Sequence, residues 1–124
     1  MEINNSYSPL ISSNRNPLVR KLKSLYKKSG REEYSSILLE GSNLLEEALK
    51  TNFMPSEVIA TVEWVDEHKE VLKKISSRSL LTLVTQNVLE ASLSTITPDG
   101  VAAIFPIDGL PKLKKKTKTY FSLR

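Results

Sequence analysis

The chain has 124 residues, 40% apolar and 26% charged, which suits one domain with a modest core and excludes wholesale disorder. It has no cysteine, so disulfides, thiolate metal sites and cysteine nucleophiles are excluded, and no apolar run approaches the ~20 residues that cross a bilayer. The net charge of +4 divides into +4 over residues 1–35, −6 over residues 36–108 and +6 over residues 109–124. Basic ends around an acidic middle suit a polyanion met by the termini, although a solvated helix face with a charged tail gives the same count. The opening "MEINNSYSPLISSNRN" has no basic stretch leading into an apolar one, so no signal peptide is read there. A soluble, cytoplasmic protein without membrane contact is expected.

In chain order, residues 1–15 are polar and are read as a flexible arm. "NPLVRKLKSLYKKSGR" predicts a basic helix over 16–30, with Asn16 as N-cap, Pro17 at the first helical position and Gly30 as the stop. Leu18, Val19, Leu22, Leu25 and Tyr26 form its apolar stripe, and Arg20, Lys21, Lys23, Lys27 and Lys28 occupy much of the rest. "SSILLE" reads as a buried strand ending in Glu40-Gly41. Ser42 is the expected cap of the next helix, which turns Leu44, Leu45, Ala48 and Leu49 inward. "SEVIATV" predicts a second strand, "EWVDEHKEVLKKIS" a helix, and "SLLTLVT" a third strand. Thr85 is placed to cap a short helix, "TPDG" has the residue types of a type I turn, and "VAAIFP" is a fourth strand. Residues 108–124 read as a basic tail. Regular alternation of strands and helices predicts an α/β domain with a mainly parallel sheet of about four strands, covered by helices on both faces.

Motifs for chemistry are sparse. There is no Gly-x-Gly-x-x-Gly and no Walker-type loop. His68 is the lone histidine and reads as a surface residue rather than a ligand. Glu46 and Glu47 diverge by ~100° on a helix and read as complements of its dipole, not as an acid/base pair. Tyr120 and Phe121 beside the lysine-rich tail match a base-stacking pattern only weakly. For Glu40-Gly41 the local reading is a tight strand-to-helix turn, with Glu40 accepting hydrogen bonds near the amide-rich start of the helix.

The order of the fragments says more. "ISSNRNPLVRKLKSLYKKSGR", "ILLEGSNLLEEAL" and "STITPDGVAAI", spread over residues 11–107, resemble the N-terminal substrate-binding domain of SpoU/TrmH-type RNA 2′-O-ribose methyltransferases. The matching positions are Ile11, Ser12, Asn16, Pro17, Lys21, Leu25, Arg31, Glu40, Gly41, Glu47, Ala48, Leu49, Thr97, Pro98, Gly100 and Val101. The resemblance implies a small three-layer α/β/α sandwich, like that of ribosomal proteins that bind kinked RNA, over residues 16–107. In that family a knotted domain follows, which binds S-adenosylmethionine, carries the catalytic arginine and forms the dimer. Its Asp-Pro-x-Asn-x-Gly segment is not found here, where "DGLPKLKKKTKTYFSLR" stands instead. No catalytic or cofactor-binding residue carries over, so this chain is expected to be a truncated, monomeric recognition part that takes no cofactor and transfers no methyl group by itself.

The favoured function is recognition of structured rRNA or tRNA through phosphate and 2′-OH contacts. The expected phosphate contacts are Arg15, Arg20, Lys21, Lys27, Lys28 and Arg31, with Lys114, Lys115 and Lys116 as a second set. The alternatives are a protein-interaction module using the acidic middle, partnered by a separate methyltransferase subunit or the ribosome, and a relic without function.

Overall fold

The computed structural model describes residues 10–109; the expected contacts Lys114, Lys115 and Lys116 lie outside them. The elements in chain order are α1 (Pro17–Ser24), α2 (Lys28–Tyr34), β1 (Ser36–Glu40), α3 (Ser42–Lys50), β2 (Glu57–Ala60), α4 (Val62–Glu67), α5 (Lys69–Leu72), β3 (Leu80–Leu83), α6 (Gln86–Ser92) and β4 (Val101–Pro106). A 3₁₀ turn, Ile107–Gly109, follows. No helix among the described residues is long and apolar enough to cross a membrane.

The four strands lie in the order β1-β4-β2-β3. Side chains alternate across the sheet, as a strand's period of two requires. Val101, Ala103 and Phe105 of β4 pack with Leu45 and Leu49 of α3 and Trp64 of α4 on one face. Ala102 and Ile104 pack with Val19 and Leu22 of α1 and Val88 and Leu89 of α6 on the other. The three layers expected from the sequence are present, but the sheet is mixed rather than mainly parallel. β2 pairs with β3 in parallel, whereas β4 runs antiparallel to both β1 and β2. The reversal follows from where the chain goes after α6. That helix has seven residues, about 10 Å, and starts at the C-terminal end of β3. Residues 93–100 then return to the same end of the sheet. There the Gly41 N–H donates to the Val101 carbonyl and the Thr61 N–H to the Gly100 carbonyl, each at 3.0 Å. A strand that begins where its neighbours finish must run against them. Alternation alone counts each strand–helix–strand step as a crossover, and this one is not.

The basic helix expected over 16–30 is two helices. Asn16 caps α1 as anticipated, its Oδ1 accepting from the Leu18 N–H at 2.9 Å, with Pro17 first in the helix. Gly30 does not stop a helix; it lies buried within α2, where the two helices cross. A Cβ on Gly30 would lie 1.9 Å from the Ser24 carbonyl oxygen, so only a glycine lets α2 fold back so closely. The stop comes instead at Ser35, in the left-handed conformation with φ 49°. The expected single helix around His68 is likewise broken into α4 and α5, with His68 at the break. Its Nδ1 lies 2.8 Å from the Trp64 carbonyl oxygen and its ring stacks on the indole, centroids 4.2 Å apart.

The strand ends show how the loops are tied together. α3 is capped from across the molecule rather than by Ser42: Gly41 occupies the N-cap with φ 97°, and Asp99 Oδ2 accepts the Ser42 N–H at 3.0 Å. Ser42 Oγ instead accepts from the Trp64 indole N–H at 2.8 Å. With Asp99 so used and the Gln86 amide donating to the Pro98 carbonyl, "TPDG" is an open bend with no hydrogen bond from Gly100 back to Thr97 among the described residues. Gly100 takes φ 105° against the Trp64 side chain.

Glu40 does not serve the start of α3. Two residues beyond Leu38, it leaves the sheet on the α1/α6 side, where it collects donors from two distant segments. Oε1 accepts from Thr95 Oγ1 at 2.5 Å and the Thr95 N–H at 3.3 Å. Oε2 accepts from Ser94 Oγ at 2.8 Å, the Ser94 N–H at 3.2 Å and the Tyr26 hydroxyl. Burial alone pushes the Glu40 carboxyl up, but the bonds from Thr95, Tyr26 and Ser94 outweigh it and hold the group below its ordinary 4.5. The Tyr26 phenol is pushed up to about 12, first by burial and then by its bond to Glu40.

Two tests follow from this packing. In Gly30→Ala the added methyl meets backbone, not a movable side chain, so urea unfolding is expected to show a loss of about 1–3 kcal/mol. An unchanged midpoint would remove the helix crossing as a constraint. Glu40→Gln removes a charge-assisted acceptor and is expected to cost about 1–2 kcal/mol near neutral pH, given its partial exposure. Since folding lowers the Glu40 pKa, its contribution is complete above the unfolded value near 4.5 and fades as pH falls through the folded value. The gap between wild type and Glu40→Gln should therefore narrow on acidification through that range; a constant gap contradicts the role given to the carboxylate.

Candidate nucleic-acid interface

Charge segregates with the layers. Residues 17–34, the α1/α2 pair, carry six Lys/Arg against two Glu. α3 carries two Glu against one Lys, and α4 with α5 carry four Asp/Glu against one Lys. The two sets pack on opposite faces of the sheet, so one side of the domain is basic and the other acidic.

On the basic side, α1 buries Val19 and Leu22, and Leu25 follows them into the core. That burial turns Arg20 and Lys23 to solvent and leaves Lys21 half-buried, its ammonium 5.1 Å from the centre of the Tyr34 ring. Lys27 and Lys28 are exposed at the start of α2. Lys28 lies 4.0 Å from Glu32, both exposed, a pair worth little in water. Arg15 is exposed just before the Asn16 cap. Ile11, in the segment read as an arm, bridges to Val84 beside β3, its N–H donating to the Leu83 carbonyl at 3.0 Å. The chain leading to Arg15 is thereby tied to the edge of the sheet.

Arg31 has a structural duty as well as a charge. It is half-buried, and its Nη1 donates to the Leu25 carbonyl at 3.1 Å, closing an acceptor left open at the end of α1. The structure thus brings Arg20, Lys21, Lys27, Lys28 and Arg31 onto one helix pair. Lys23, read from the sequence as part of the basic face though not among the expected contacts, is exposed beside them on α1; sequence reasoning missed Tyr34, 39% exposed at the end of α2. Tyr34 stands three residues after Arg31 within α2, a spacing that shares one helix face. The signal is present in the sequence but is hidden by ending the helix at Gly30.

The C-terminal ends of the parallel strands, where α/β sheets commonly bind ligands, carry a different chemistry. Two open grooves of about 480 and 230 Å³ flank the Pro98–Gly100 bend. Glu63, Glu67 and Asp99 line the first, Glu40 and Asp99 the second. These carboxylates oppose a phosphate, and among the described residues no three His, Asp or Glu side chains are grouped so as to hold a metal ion. Glu46 and Glu47 form no paired site; Glu47 lies 3.5 Å from Lys50 on the surface.

Comparison with known proteins places this arrangement. Residues 16–103 match the family model of the MRM3-like substrate binding domain. A curated relative, an uncharacterised tRNA/rRNA methyltransferase of Synechocystis sp. (strain ATCC 27184 / PCC 6803 / Kazusa), is 34% identical over 99 residues, 79% of this chain and 36% of that protein. Two solved structures share the fold. An rRNA methyltransferase from Sinorhizobium meliloti, solved also with AdoMet bound, is 24% identical with a TM-score of 0.66, covering 80% of this chain and 37% of its own. An RNA 2′-O ribose methyltransferase is 22% identical with a TM-score of 0.69, covering 84% and 38%. The chain spans little more than a third of the length of these relatives. With the family model matched across both the basic helices and the sheet, the chain belongs to the MRM3-like substrate binding domains.

Proposed function

We propose that this domain recognises structured rRNA or tRNA for a 2′-O-ribose methyltransferase, holding the RNA on the basic face of α1 and α2. The observation that carries the reading is the separation of charge: six cations gathered on one helix pair, with an acidic surface behind the sheet. Phosphates are drawn to the first and repelled by the second, so the field orients the RNA before any contact forms. Arg15, Arg20, Lys21, Lys27 and Lys28 serve as phosphate contacts. Arg31 contributes charge while holding the end of α1. The proposed methyl donor is S-adenosylmethionine, held by a catalytic domain or a separate subunit, and the domain itself works as a monomer.

RNA retention in filter binding is expected to fall steeply between low and moderate salt, because released counterions supply much of the affinity. Arg20→Ala combined with Lys27→Ala and Lys28→Ala should flatten the slope by about three, one for each cation removed, with little change in thermal midpoint. Arg31→Ala should weaken binding and also lower the thermal midpoint, since it frees the Leu25 carbonyl. Absence of retention at low salt would sink the reading. Labelled methyl incorporation from S-adenosylmethionine by these 124 residues alone would overturn the division of labour. The acidic surface of α3–α5 favours a second reading, contact with a basic protein partner. A partner that survives nuclease treatment in a pull-down supports that reading instead.

A further inference from the structure

Two half-exposed tyrosines sit on the basic helix pair, and their surroundings differ. The Tyr26 hydroxyl donates to Glu40 and accepts from the Ser94 N–H, so that side chain is committed to holding the fold. The Tyr34 hydroxyl has no hydrogen-bond partner among the described residues, and the residue is 39% exposed. The Lys21 ammonium lies 5.1 Å from the centre of that ring. Arg31 and Tyr34 share one face of α2, beside the Gly30 crossing that brings Lys21 of α1 within reach. Lys21 thus caps one face of a partly exposed aromatic ring, and the rest of that side chain is accessible to solvent.

From this we infer that Tyr34 and Lys21 form a seat for a single unpaired nucleotide, the base stacking on the part of the Tyr34 ring that Lys21 leaves open while Lys21 holds the adjoining phosphate. The inference rests on the proposed RNA-binding face and adds what that face selects. A run of cations alone grips any duplex backbone, whereas an aromatic face adds affinity only for a base that has left its stack. Tyrosine suits this task because its face is sequence-tolerant, so the seat reads an RNA's shape, a bulge, loop or end, rather than the identity of one base. The neighbouring carboxylates do not block it. Glu32 pairs with Lys28, and Glu33, one residue before Tyr34, projects ~100° away around the helix.

The test uses the full chain and two short RNA hairpins, one with a single bulged 2-aminopurine and one fully paired. Wild type is expected to quench the 2-aminopurine fluorescence and to bind the bulged hairpin about tenfold more tightly. Tyr34→Phe should keep both effects, because the ring remains. Tyr34→Ala should lose the quench and the preference while still binding the paired hairpin as wild type does, and an unchanged thermal midpoint and Trp64 emission would show that it folds. Lys21→Ala should weaken both hairpins and narrow the preference. If wild type binds both hairpins equally, or Tyr34→Ala keeps the preference, the seat is refuted and the basic face stands. If neither hairpin is retained at low salt, the RNA-binding reading fails and the seat with it.

Discussion

One carboxylate ties together segments that lie far apart in the sequence. Glu40, at the last position of β1, receives hydrogen bonds from Tyr26 at the α1/α2 corner and from Ser94 and Thr95 in the stretch leading to β4. Those segments lie 14 and more than 50 residues away in sequence, and the carboxylate is the point at which they meet. Two consequences follow. Residues 93–100 are held at the C-terminal end of the sheet, the end from which β4 enters in reverse between β1 and β2. The corner between α1 and α2 is fixed to the sheet, which gives the cations on those helices a common orientation.

The same part of the molecule shows how structure and function divide among similar residues. Arg31 and Tyr26 have the composition of an RNA-binding surface, yet each is engaged by the protein itself, one at the end of α1 and the other at Glu40. Arg20, Lys27 and Lys28 are exposed, and nothing in the core needs them. Charge alone does not separate these groups; hydrogen-bond partners do. Net charge therefore points to the basic face and overstates the availability of its best-matched arginine.

Much of the fold was legible in the sequence, and the failures share a cause. All four strands stood out because short apolar runs between turn residues are a local signal, and Asn16-Pro17 marked a helix start for the same reason. What failed were features decided by distant contacts. Gly30 has the chemistry of a helix stop, but its use is set by Ser24 of the preceding helix pressing against its backbone. Ser42 has the chemistry of a cap, but Asp99, 57 residues away, takes that place and Trp64 takes the serine hydroxyl. Glu40 was recognisable as a signature of the family, while its donors lie in segments that no local pattern connects. On the proposed RNA-binding surface, the cations were visible as composition. Tyr34 was not, because ending the helix early removed it from their face.

The proposed docking of RNA on the basic helix pair, away from the acidic helices, has a spatial signature. Amide chemical-shift mapping during titration with a short structured RNA reads it residue by residue. Binding on the proposed face predicts shifts concentrated in residues 15–34, with residues 42–50 and 62–72 unmoved behind the sheet. Shifts concentrated on α3 and α4, or around the Pro98–Gly100 bend with the basic helices silent, would contradict it.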